Sequence, residues 1–158
     1  RFARGVAFPE IKEDINLQYG KGQILKEGSK DGNNAGGNVA IIAVGSMVEE
    51  TYKAIDMLEK ENVHPAFVNP VFIKPMDTEL IKRVAENHKH IIVVEEGIKK
   101  GGFGESVETF ILESGIDADV QVMAIDDRFV EQGNVALLRE EIGISYKNIY
   151  EKVMELTR

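Results

Sequence analysis

The sequence contains no cysteine, which removes disulfides, thiolate metal sites and a cysteine nucleophile, and leaves the compartment open. It has no run of about 18 apolar residues and no basic, apolar and small-residue signal pattern at its amino terminus. Neither a membrane span nor secretion is therefore expected, and the reading is a soluble, cytoplasmic protein. Positive charge is also short: 27 acidic side chains against 19 basic ones give a formal net charge of -8. Without a local basic patch, nucleic acid and anionic membranes are not expected partners. No Gly-x-Ser-x-Gly elbow and no His-Glu-x-x-His pair is present, so hydrolase chemistry has no carrier. His64, His88 and His90 do not combine with nearby acids at a metal-ligand spacing. No repeat of fixed period occurs.

What is present is one domain's worth of alternating pattern. A chain of 158 residues with 43% hydrophobic content suits a single core. The first 38 residues are polar, glycine-rich and irregular, and the domain proper is placed from Gln23 onward. Residues 39 to 44 are apolar on both faces, as in a central strand of a parallel sheet covered by helices. Ser46 and Glu49 have capping-box spacing, and Val48, Tyr52, Ile55 and Leu58 recur at intervals of three and four, predicting a helix over 47–61. Further strands are expected at 66–68, 91–94 and 120–124. Helices are expected after Asp77, over the segment carrying Val107, Phe110 and Ile111, over 134–141, and after Ser145. Residues 22–28 read as one more strand, joined to the central one by the loop 29–38 and pairing antiparallel at an edge. The expected fold is therefore α/β, with a mostly parallel, mixed sheet of about five strands.

Ligands of open parallel sheets bind at the carboxyl ends of the strands, and four segments compete for that role. Residues 95–104, Glu-Glu-Gly-Ile-Lys-Lys-Gly-Gly-Phe-Gly, run from a strand end into a helix start. Gly101, Gly102 and Gly104 permit either close approach of an anion to backbone amides or a tight turn with close helix packing. The adjacent Glu95 and Glu96 point to opposite faces of a continuing strand and make a poor acid–base pair. One suits capping of loop amides, the other pairing across a subunit interface. In residues 125–133 the charges suit either an ion-pair cluster or a partner-binding loop, and Phe129 and Val130 are expected to anchor that loop to the core. In the crossover from Asn69 to Asp77, Lys74 reads either as a contact for an anion or as a solvent-exposed lysine. Arg1 and Arg4 suit phosphate recognition through paired guanidinium donors.

In chain order, Val39 to Ser46, Phe-Ile-Lys-Pro-Met-Asp at 72–77, Val-Glu-Glu-Gly at 94–97 with Gly-Gly-Phe-Gly at 101–104, and Asp-Arg-Phe-Val-Glu-Gln-Gly at 127–133 resemble motifs of the transketolase superfamily. They are most similar to those of the deoxyxylulose-phosphate synthases, over nearly the whole chain. The resemblance implies a three-layer sandwich of the transketolase carboxy-terminal type for 23–158, with 1–22 as the end of a preceding pyrimidine-binding domain and its linker. It implies an enzyme that moves a two-carbon unit from pyruvate, with loss of carbon dioxide, onto glyceraldehyde 3-phosphate in isoprenoid precursor synthesis. Thiamine diphosphate and magnesium are expected in the complete enzyme and neither in this chain. No catalytic residue and no metal site is expected here, so the isolated chain should be inactive. Its expected partners are the cofactor-binding remainder of the same enzyme and, for the full enzyme, a second copy in a homodimer; its expected contributions are dimer assembly and closure of the substrate entrance. Arg1 matches an arginine that binds the acceptor's phosphate. The place of a second family arginine is held by Val71, which leaves Lys74 as the nearby cation, or another sugar as the acceptor. Two other readings stand beside this one: a non-catalytic assembly or regulatory subunit that binds an anion at Gly101, Gly102 and Gly104, and the carboxy-terminal subunit of a split transketolase.

Overall fold

The computed structural model describes residues 17–29 and 36–158. Five strands form one sheet in the order β1-β3-β2-β4-β5: β1 (Gln23–Lys26), β2 (Val39–Ala43), β3 (Ala66–Asn69), β4 (His90–Ile98) and β5 (Asp119–Ile125). The last four are mutually parallel and β1 is antiparallel to β3. The short central β2 is buried along its whole length. Its side chains alternate between two apolar layers. Val39, Ile41 and Ala43 meet α1 (Met47–Lys60) and α5 (Tyr146–Leu156), whereas Ala40 and Ile42 meet α2 (Thr78–Asn87) and α3 (Phe103–Glu113). A seven-residue helix, α4 (Val135–Glu141), lies between β5 and α5 in sequence and has no buried residue. Helices cover both faces of a mixed five-stranded sheet, as the strand–helix alternation predicts.

The first strand departs from expectation in its partner. It lies antiparallel at an edge, but against β3, with Ile24 opposite Val68, and not beside β2. Both edges of β2 are already taken by the parallel neighbours β3 and β4, which leaves no ladder for a hairpin. The chain arrives at the start of β3 because Gly28, at φ +75°, sits directly on the Ala66 backbone. There Ser29 N donates to His64 O at 3.0 Å.

Helix α1 follows the predicted spacing, with Met47, Val48, Thr51, Ala54, Ile55 and Leu58 on its buried face. The capping box does not form: Ser46 has helical backbone angles and no capping bond, and Glu49 pairs with Lys53 at 2.8 Å. Among the side chains of that face, the Thr51 hydroxyl is buried without a hydrogen-bond partner. A buried hydroxyl that has left water without a replacement bond is a net loss. Thr51→Val should accordingly raise the unfolding free energy by about 1 kcal/mol, read as a higher denaturant midpoint at unchanged slope. A fall in the midpoint would contradict this accounting.

Candidate functional site

The side on which successive strands are added reverses between β2 and β4, which are themselves parallel: β2 crosses through α1 to β3 on one side, and β3 crosses through α2 back to β4 on the other. Such a switch point opens a crevice at the carboxyl ends of the strands. Its walls here are the turn at Gly45 and Ser46 after β2, and the end of β4.

Strand β4 outruns β2 and bulges against β5. Val94 faces Met123 and the next recorded pair is Ile98 with Ile125, so β4 carries two extra residues over that stretch. The extended backbone sends Glu95 and Glu96 to opposite faces, as their adjacency predicts. Glu95 is buried and accepts from Phe103 N at 3.1 Å and Gly104 N at 2.8 Å, the first amides of α3. The helix therefore carries its own anion, which offsets its free N–H groups and its dipole. The amides of the two preceding glycines are also engaged: Gly101 N donates to Glu105 Oε2 at 2.5 Å and Gly102 N to Lys99 O at 3.2 Å.

This arrangement accounts for the glycines. Gly101 has φ +76°, which only glycine adopts without strain. A Cβ on Gly102 would lie 2.5 Å from Glu95 Oε1 and 2.7 Å from Ile98 O. A Cβ on Gly104 would overlap the Val122 side chain of β5. Close packing and a tight turn thus explain Gly101, Gly102 and Gly104, and an outside anion would have to displace a carboxylate to reach the amides.

On the opposite face, Glu96 is the acceptor of a planar pair with Arg139 of α4: Nε to Oε1 at 2.8 Å and Nη2 to Oε2 at 2.9 Å. Ser46 Oγ donates to the same Oε2 at 2.6 Å. Arg139 Nη1 reaches Glu50 Oε1 at 3.4 Å, and Glu50 Oε2 accepts from Tyr146 N at 2.9 Å, the first amide of α5. The hydrogen bonds from Arg139, opposed by burial and aided by Ser46, hold the Glu96 carboxyl below the usual range. The same pairing pushes Arg139 up. Both oxygens of each carboxylate in the cluster accept hydrogen bonds, so it fastens the loop after β2, the end of β4, α4 and α5 to one another. Glu96 thus finds its partner within this chain. Sequence reading missed Arg139, because its partners are 43 and 89 residues away and nothing local marks it.

The loop after β5 does not anchor itself through Phe129 and Val130, contrary to expectation: Phe129 is fully exposed at 104% and Val130 is 37% exposed. The sheet's apolar faces are already covered by helices such as α3 and α5, so among the described residues no apolar surface is left for the loop to bury against. Ile98, Val135 and Leu137 are exposed at the same edge.

The crossover after β3 is held by Asp77, which is buried and accepts from Leu80 N at 3.2 Å and Gly22 N at 3.1 Å, with Lys21 Nζ at 3.5 Å. It caps α2, as expected, and also docks the segment before β1, where the Tyr19 and Phe72 rings meet edge to face at 5.6 Å. Val71 is strained: its φ is +57°, and Phe72 N donates to Pro70 O at 2.5 Å across it, a γ-turn centred on a β-branched residue. Lys74 is exposed on this crossover. Arg1 and Arg4 lie outside the described residues.

Burial alone would raise the Asp77 carboxyl, but the Gly22 and Leu80 amides and Lys21 outweigh it and hold it below the ordinary value. A depressed carboxylate contributes stability that is present above its unfolded pKa, about 3.9, and lost as pH falls through the lower folded value. Stability should therefore drop on acidification below about pH 4, and Asp77→Asn should flatten that drop. An unchanged acid limb in Asp77→Asn would contradict it.

Among the described residues, no group of three or more His, Asp and Glu side chains is placed to hold a metal ion, and no helix is long and apolar enough to cross a membrane.

A family model described as "Transketolase, C-terminal domain" matches residues 26–149. The chain is 37% identical over 143 residues to a 1-deoxy-D-xylulose-5-phosphate synthase of Dehalococcoides mccartyi, covering 89% of this chain and 21% of that protein. It is 36% identical over 154 residues to the synthase so named from Alkaliphilus oremlandii, covering 97% and 24%. The chain thus spans under a quarter of the length of these curated relatives. Among solved structures, a split-gene transketolase in an inactive beta4 tetramer superposes with TM-score 0.78 at 28% identity, over 92% of this chain and 46% of that one. A 2-oxoglutarate:ferredoxin oxidoreductase from Magnetococcus marinus shares the fold, with TM-score 0.56 at 17% identity over 89% of this chain and 20% of that one. Both the match to the family over most of the chain and the mixed five-stranded sandwich lead to one conclusion: this chain belongs to the transketolase C-terminal domain family.

Proposed function

We propose that this chain is the carboxy-terminal domain of a 1-deoxy-D-xylulose-5-phosphate synthase, the transferase that joins a two-carbon unit from pyruvate to glyceraldehyde 3-phosphate and releases carbon dioxide. The observation that carries the reading is identity of 34 to 37% to proteins of that name over nearly the whole chain. In this reading residues 23–158 are the domain, residues 1–22 end the preceding one, and the complete enzyme is a cytoplasmic homodimer. Thiamine diphosphate, with magnesium, supplies the carbanion chemistry when bound. The described residues of this chain do not fit that cofactor: they offer no metal-ligand group, and the amides of the glycine-rich loop are already engaged. In this reading the cofactor is held by the remainder of the enzyme, and no chemical step is assigned to this chain.

The domain's part is assembly and closure of the substrate entrance. The apolar edge supports this, since Phe129, Ile98, Val135 and Leu137 lie open where a larger enzyme would cover them. Arg1 is proposed as a phosphate contact for the acceptor and Lys74 as a substitute for the arginine that Val71 replaces. The test is reconstitution. Mixed with the amino-terminal remainder of its own enzyme, the chain should raise carbon dioxide release from pyruvate, and release no greater than from the remainder alone counts against the proposal. The 28% identity to the split-gene transketolase keeps a second reading, a separately encoded subunit. The reading frame upstream separates the two: a continuous frame carrying Gly-Asp-Gly supports the synthase domain, and a stop codon supports the subunit.

A further inference from the structure

Residues 126–142 leave the sheet at the end of β5 and return at the start of α5, and both ends are fastened. At one end Lys99 N donates to Ile125 O at 2.8 Å. At the other, Gly143 turns at φ +83°, Ile144 is fully buried and Ser145 caps α5. The stretch between has little apolar hold. Helix α4 buries no residue, and only Leu138 and Ile142 are half-buried beside Arg139. Asn134 caps α4 through Ala136 N at 2.9 Å, so the helix is formed locally. A helix of seven residues does not persist on local bonds alone. Its carboxyl end is tied to α5 by Lys147 Nζ on Glu140 at 2.9 Å and by Ser145 N on Arg139 O at 3.1 Å, and what joins it to the sheet edge is the two-bonded pair of Arg139 with Glu96, backed by Glu50. That pair sits above the switch point between β2 and β4, and Glu96 is also the acceptor for Ser46 at the other wall.

We propose that residues 126–141 form a strap across the switch point, latched by the Arg139–Glu96 pair, and that it opens as a unit when the pair breaks while the sheet and α5 stay folded. The two fastened ends let the strap swing without unravelling its neighbours. Opening frees Ser46 and Glu96 at the carboxyl ends of β2 and β4, the place where open parallel sheets receive ligands. The inference rests on contacts within this chain and is independent of the reaction proposed above.

Hydrogen exchange on the 158-residue chain tests it. Leu138 N, which donates to Asn134 O, reports the strap, and Ile149 N, which donates to Ser145 O, reports α5. Loss of a charged two-bonded pair should speed exchange at Leu138 by at least about tenfold in Arg139→Gln and in Glu96→Gln, with Ile149 unchanged. The double variant should be no faster than the faster single one, since the pair that Glu96→Gln removes is already lost in Arg139→Gln. Unchanged exchange at Leu138, an equal acceleration at Ile149, or multiplied effects in the double variant would each overturn the proposal. The unaltered chain gives a reading that needs no variant: exchange at Leu138 should respond less steeply to denaturant than at Ile149, because opening the strap exposes less surface. Equal steepness would overturn it as well.

Discussion

Glu95→Ala is expected to lower the unfolding free energy by about 3 kcal/mol, the largest effect of any single substitution at this edge of the sheet. The change strands two buried donors, Phe103 N and Gly104 N, which now give hydrogen bonds to one carboxylate. Each unsatisfied buried group costs about 1 to 3 kcal/mol, and the charge opposite the helix dipole is lost with them. Glu95→Gln keeps a carbonyl acceptor and should recover part of the loss. Both are measured as denaturant midpoints at constant slope. The same variant decides how the glycine-rich loop relates to anions. If Glu95 fills an anion site, inorganic phosphate should leave the melting temperature of the unaltered chain unchanged and raise that of Glu95→Ala, because binding to the folded state stabilises it. Phosphate stabilising the unaltered chain would instead support the loop as a site for an outside anion.

Local signals in the sequence carried most of the fold. Val39 to Ala43 is uniformly apolar, so its two-faced burial and central position followed, and Asp77 and Ser145 cap the helices they precede, while Asn134, expected as the first residue of its helix, is its cap. Ser46 and Glu49 have the same kind of spacing and do not cap, because Glu96 of β4 takes the serine hydroxyl and Lys53 takes the glutamate. Long-range partners override a local pattern there. The partner of β1 was illegible for a related reason. A loop predicts that two strands are close in sequence, whereas pairing depends on which edges the rest of the sheet leaves free, and β2 has none.

The candidate site was legible in halves. Alternation along a strand separated Glu95 from Glu96, and glycine spacing marked the turn into α3. The carboxylate that occupies the turn comes from eight residues upstream, and the arginine that pairs with Glu96 comes from 43 residues downstream. Neither distance has a periodic signature. Phe129 shows the opposite failure. An aromatic residue in a loop reads as an anchor because apolar side chains favour burial, but among the described residues Phe129 meets no surface that buries it. A sequence pattern reports that a side chain needs cover and is silent on which polypeptide supplies it.

Gly104→Ala should destabilise the domain by about 2 kcal/mol, although alanine is the better helix former by about 1 kcal/mol. Gly104 lies in the first turn of α3, where an added Cβ would overlap Val122 Cγ1 and come within 3.2 Å of Glu95 Oε1. The valine is β-branched, has few rotamers to retreat into, and stands on β5 directly opposite Val93 of β4. Helix and strand must therefore separate locally, which also loosens the amides that Glu95 holds. The cause can be isolated with a second substitution. Val122→Ala alone removes two methyl groups at a half-buried edge position and should cost about 1 kcal/mol. In the pair Gly104→Ala with Val122→Ala the new methyl enters the vacated space, so the total loss should fall short of the sum of the single losses by about 1 kcal/mol or more. Additive losses would show that Gly104 is required for something other than its closeness to Val122, and the packing explanation of the glycine would have to be given up in favour of a ligand at the backbone.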